Sequence, residues 1–122
     1  MRKPDNNFPE KNVLLLNLKS EPFKVMVTGE KKIEYREVGQ WINSRLFDKN
    51  GNQKKCDYVK FILGYSGKNP FFYAPFLGVE KIEKADEEYS NGLSVKFNSE
   101  RWGIKLGDPI KIGNMRLEDV KK

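Results

Sequence analysis

Gly29, Lys31, Glu34 and Arg36 fall within eight consecutive positions at the spacing G-x-K-x-x-E-x-R. Two cations of different kinds with a carboxylate between them suit anion recognition. Lys31 as a point charge and Arg36 as a planar fork can meet two phosphates, or a phosphate and a base edge. Glu34 can orient them through a charge-assisted hydrogen bond, or accept an amino proton from a base. The plainer alternative is an exposed Glu34–Arg36 ion pair beside solvated Lys31 and Lys32, worth only ~0–1 kcal/mol. A second cluster, Gly64-Tyr65-Ser66-Gly67-Lys68, joins two glycines that let a ligand approach the backbone to a ring, a hydroxyl and a further cation. Its spacing is not that of a P-loop, and a hairpin loop whose glycines serve only the turn reads equally well. Arg101-Trp102-Gly103 can similarly line a cleft or cover one end of a barrel.

Other chemistry is restricted by composition. The chain has no histidine and one cysteine, Cys56, which excludes histidine triads, histidine metal sites and thiolate zinc sites. An all-carboxylate magnesium site is left open, but Asp and Glu are scattered without a recognisable paired spacing for one. Catalysis, if present, falls to Lys31 and Glu34 as an acid–base pair, with Tyr65 or Ser66 in support, and requires burial to bring their pKa values toward neutrality.

The elements that must position these groups follow from apolar periodicity. Residues 1–12 are polar with two prolines and predict a flexible leader, and residues 13–122 a single domain. The run at residues 13–18, interrupted only by Asn17, predicts a buried central strand. Ser20 then reads as an N-cap, with Glu21 and Pro22 in the first turn and Phe23, Met26 and Val27 on one helical face ending at Gly29. From Ile33 to Arg36 alternation predicts a strand that puts Glu34 and Arg36 on one surface, roughly 7 Å apart, with Tyr35 turned toward the core. Residues 38–47 have helical spacing, with Trp41 on the apolar stripe; Asn50-Gly51 signals a turn. Strands are expected over residues 58–65, 71–82, 93–97 and 110–112, with an acidic connector, a helical turn at most, over 86–92. About six strands and two or three short helices make an α+β fold. A small, partly open mixed β-barrel is its simplest form.

The formal charge of +6 is unevenly distributed. Residues 11–36 carry six basic against three acidic groups, whereas residues 78–92 carry five acidic against two basic. A basic surface that includes the motif suits a polyanion, although charge of this kind also serves solubility. Neither a bilayer-length apolar run nor a signal-peptide core is present, so a cytoplasmic protein without a membrane partner is expected.

The G-x-K-x-x-E-x-R spacing, following an apolar strand and a short helix, resembles the motif of the ASCH domain, a family of the PUA-like superfold. The resemblance covers residues 13–36 well and residues 58–65 and 76–82 loosely. It implies a PUA-like barrel that binds RNA or a nucleotide in a basic cleft around Gly29, Lys31, Glu34 and Arg36. From composition, no cofactor or metal is expected. Tyr65, Ser66 and Lys68 are candidates to complete that cleft. Some members of the superfamily resemble amidohydrolases of acetylated cytidine that use a Lys, a Thr and a Glu, and others resemble ribonucleases. Lys31 matches the motif Lys, but Glu34 stands where the Thr nucleophile falls, and a carboxylate cannot replace a hydroxyl without different chemistry. A ribonuclease or modified-nucleoside hydrolase is therefore one alternative. A protein-interaction module working through the acidic run from Glu80 to Glu88 is another.

Overall fold

In a computed structural model, residues 12–65 and 68–115 are described; all of the expected leader except Asn12, together with Ser66, lies outside them. Among the described residues the chain forms an α+β fold dominated by sheet, with eight strands and two helices. These are β1 (Val13–Leu18), α1 (Ser20–Val27), β2 (Ile33–Glu37), α2 (Gln40–Leu46), β3 (Tyr58–Leu63), β4 (Phe71–Ile82), β5 (Ala85–Glu88), β6 (Ser94–Phe97), β7 (Arg101–Leu106) and β8 (Lys111–Gly113). No helix among the described residues is long and apolar enough to cross a membrane.

The main sheet runs β1-β3-β4-β7-β2, with β8 added to β4. Its organiser is β4, whose first half pairs with β3 and β8 and whose second half pairs with β7. Between Phe76 and Gly78 the register shifts, and Gly78 has φ +133°, a bulge that bends the strand where a side chain is poorly tolerated. This bend carries β7 and β2 round toward β1. The sheet is nevertheless not closed into a barrel, because β1 and β2 form the two ends of the strand order without pairing. β1 is thus an edge strand, paired in parallel with β3 alone, where the apolar run predicts a central one. Its alternation explains the placement: Leu14, Leu16 and Leu18 face the core while Leu15 is half exposed.

The core lies between this curled sheet and α1. Phe23 of α1 meets Phe72 of β4 edge-on at 5.3 Å, and Phe72 stacks on Phe61 of β3 at 5.1 Å. All three rings are almost fully buried, as are Leu16, Met26, Val59 and Ile104. Burying each such side chain contributes roughly 1.5–3 kcal/mol, so the α1 packing that fixes the following turn rests on the largest core residues.

Three local expectations are corrected. Ser20 is the first helical residue rather than the cap; Lys19 is the N-cap and makes no side-chain capping bond. The acidic segment after β4 is strand β5, paired antiparallel with β6, and not a helical turn. Trp41 is 53% exposed, because α2 is only seven residues long and turns Ile42 and Leu46 inward. Strand β7 lies between β4 and β2, and Gly103 permits that contact: a Cβ there would stand 2.7 Å from Ile82 Cγ1.

Candidate functional site

The motif is built at the end of α1. Gly29, with φ +86°, donates its N–H to the Met26 carbonyl at 3.0 Å and reverses the chain; Lys31 N–H then donates to the Val25 carbonyl at 2.9 Å. This fold-back turns the Lys31 side chain inward, under the helix, so that it is only 4% exposed. Its ammonium donates to Glu34 Oε1 at 3.3 Å and to the Ile33 carbonyl, with Met26 Sδ at 4.0 Å. The Tyr35 ring centroid is 5.3 Å away. Burial depresses the Lys31 pKa, and the Glu34 carboxylate opposes that shift.

Alternation along β2 places Glu34 and Arg36 on one surface. Arg36 Nε donates to Glu34 Oε2 at 2.7 Å, so the two oxygens of one buried carboxylate hold two different cations. The Arg36 Nη2 donates to the main-chain carbonyl of Asn17 on β1 at 2.7 Å. Arg36 therefore joins the two unpaired ends of the sheet with a side chain where a ladder is absent. Being anchored at two of its three guanidinium nitrogens removes most of its rotamer freedom, and its side chain still keeps 25% exposure.

That exposure opens on a cleft of about 590 Å³ lying off the carboxyl ends of the parallel strands β1 and β3. Asn17, Glu34 and Arg36 form its floor, Lys19 and Ser20 at the start of α1 one wall, and Gly64, Tyr65 and Asn69 the other. The first N–H groups of a helix lack internal partners and carry partial positive charge, which adds to Arg36 and Lys19 at this position. Gly64 has φ +74°, and a Cβ on it would approach Asn69 Nδ2 at 2.8 Å, so the loop after β3 is closed tightly on itself. Asn17 Nδ2 donates to the Gly64 carbonyl at 2.6 Å and ties this wall to the floor. Tyr65 is 91% exposed and stands at the opening.

The structure thus brings Glu34, Arg36 and Tyr65 to one cleft. Lys31 is beneath the floor, supporting Glu34 rather than facing the opening, and Gly29 is packed near Pro109. Lys68 is exposed but does not line the cleft, and Ser66 lies outside the described residues. Asn17 and Asn69 are additions that the motif alone does not indicate. The signal for Asn17 is its position as the one polar interruption of the β1 apolar run.

Elsewhere, Tyr35 turns to the opposite side of β2 from Glu34, as alternation predicts, but that side is not the main core: Tyr35 is only partly buried and lies outside the core cluster, whereas Glu34 is the buried residue. It packs edge-on against Phe97 at 5.0 Å and donates its hydroxyl to Glu87 Oε2 at 3.0 Å. Tyr89 donates to the other oxygen, Oε1, at 2.5 Å. Burial, then these bonds to a carboxylate, raise both phenols, Tyr35 to about 12. Two of the five carboxylates of the acidic run are also engaged within the chain, Glu80 with Lys105 at 2.9 Å and Glu87 with the two tyrosines.

No protein-family model, curated protein or solved structure matches this chain.

Proposed function

We propose that the chain is an ASCH-type domain, a PUA-like barrel left open between β1 and β2, that binds RNA or a nucleotide in the cleft at that opening. The observation that carries this reading is Arg36: a guanidinium fixed by Glu34 and by the Asn17 carbonyl, partly exposed in a cleft that also holds Lys19 and an exposed aromatic. In such a site a phosphate meets Arg36, Lys19 and the α1 N-terminus, while Tyr65 offers a face to an unpaired base. Lys31 acts by position, holding Glu34 so that Glu34 in turn holds Arg36.

Titration of the purified chain with uridine and cytidine monophosphates at low salt tests this. Binding that weakens about ten-fold or more in Arg36→Ala, and is only partly retained in Arg36→Lys, is the expected result. Absence of binding, or equal binding by Arg36→Ala, contradicts it.

A second reading, a nucleoside hydrolase or ribonuclease, draws on the buried Lys31–Glu34 pair and the depressed Lys31 pKa. In that reading Glu34, which lines the cleft, is the group that meets substrate and Lys31 is its proton partner. Turnover of RNA or acylated cytidine that is lost in Glu34→Gln selects it; binding without turnover selects the first reading.

A further inference from the structure

Asn17 lines two concavities. One is the Arg36 cleft; the other, about 530 Å³, extends along β1 toward its start and is bounded by Trp41, Arg45 and Lys54. β1 is six residues long, about 20 Å at roughly 3.3 Å per residue. Its outward Leu15 is 51% exposed and lines the second concavity beside Trp41, Arg45 and Lys54. On α2, Trp41 and Arg45 are one turn apart, with the guanidinium carbon 5.1 Å from the indole centroid, while Ile42 and Leu46 face the core. An exposed aromatic therefore stands near each end of the path, Tyr65 at one and Trp41 at the other.

Charge along this path is mainly positive. Among the described residues Lys19, Arg36, Arg45, Lys54 and Lys55 line it, against one lining carboxylate, Glu34, already held by Lys31 and Arg36, while Asp57 lies beside it bonded to Asn12. Spaced cations with aromatic platforms between them are what a flexible phosphodiester with unpaired bases requires: phosphates release counterions to the cations, and bases stack on the rings. An acidic peptide would use the cations but not both rings, and a lone nucleotide would use only the Arg36 end.

We infer that the bound ligand is a single-stranded polynucleotide laid along the outer side of β1, with one base at Tyr65 over the Arg36 cleft and another at Trp41. This rests on the Arg36 cleft being a nucleotide site and extends it to an oligomer on the order of four nucleotides. The Asn17 carbonyl, held by Arg36, marks the point where the two halves of the path meet.

The test compares uridine monophosphate, a uridylate octamer and its deoxy counterpart on the full chain. One of the octamers, whose identity shows whether the sugar is read, is expected to bind at least ten-fold more tightly than the monophosphate. Its affinity falls with salt, each cation that meets a phosphate contributing roughly −0.7 to the logarithmic slope, so Arg45→Gln flattens the slope by about that amount. Trp41→Ala weakens the octamer about ten-fold and leaves the monophosphate unchanged; its side chain is exposed, so folding is retained, as a thermal melt will show. Octamers no tighter than the monophosphate, indifference of the octamer to Trp41→Ala, or equal affinity for oligoglutamate would overturn the inference. Failure of the Arg36 cleft itself looks different: no nucleotide or octamer binds, or Arg36→Ala changes none of them, whatever Trp41 does.

Discussion

The two charged regions of this molecule use the same residue types to different ends. At the α1–β2 corner, Lys31, Glu34 and Arg36 form a chain of bonds around a carboxylate that is almost wholly buried. On β4 and its neighbours, Glu80–Lys105 and Lys81–Glu100 are ion pairs with all four side chains about half exposed. Burial makes the difference. A desolvated ion network is costly to interrupt and holds its members in one geometry, whereas a hydrated pair contributes little and constrains little. Only the first region can present a rigid guanidinium to a ligand.

Breaking the buried network is the most damaging change that this comparison predicts. Glu34→Ala removes the shared partner of two cations, one of them buried, and should cost about 3–5 kcal/mol in chemical denaturation. A loss below about 1 kcal/mol would place the two regions in the same class. Packing, and not charge, holds the acidic half: Gly103→Ala drives a Cβ toward Ile82 Cγ1 from 2.7 Å and should cost about 1–3 kcal/mol. Glu80→Ala, by contrast, should cost less than about 1 kcal/mol, an effect that vanishes in high salt. If it costs as much as Gly103→Ala, the surface pairs are structural after all.

The pH dependence separates the regions by sign. Lys31 binds its proton less tightly folded than unfolded, so between its depressed value and the ordinary 10.5 the unfolded chain carries the extra proton. Stability therefore gains a rising component with pH in that window, and Lys31→Met removes it. Tyr35 is the reverse. Its folded value of about 12 lies above the ordinary 10.0, so the folded chain keeps the proton longer and stability is lost as pH rises from 10.0 to about 12. Phenolate absorbance should show Tyr35 and Tyr89 titrating late, and Tyr35→Phe should remove one late-titrating group. An undiminished late-titrating amplitude in that variant would assign it to other residues.

Local periodicity made the corner legible. The apolar run of β1, the helical face of α1, the turn at Gly29 and the alternation of β2 each follow from side-chain spacing, and together they put Glu34 and Arg36 on one surface. Burial of Lys31 did not follow, since lysine is seldom buried and its partners here include a carbonyl and a sulfur supplied by the fold. Strand β7 was hidden by Gly103 and by the charged Arg101 and Lys105 on either side of it, and its place in the sheet depends on contact with Ile82 of β4. The β5–β6 hairpin has little apolar alternation in its first strand; Tyr35 secures it by bonding to Glu87, a contact 52 residues away in sequence. The Asn17 carbonyl became a site group only because the sheet brings its two ends together.

The central claim is that the anchored Arg36 and its cleft receive a nucleotide. Mapping amide and guanidinium proton–nitrogen shifts during titration with uridine monophosphate at low salt tests it most directly. The account predicts that Arg36 Nε, with the amides of Lys19, Ser20, Gly64 and Tyr65, moves first and saturates together, while Asp86 and Lys96 on the acidic hairpin stay still. Shifts centred on the hairpin, or none at Arg36 with saturating nucleotide, would contradict it.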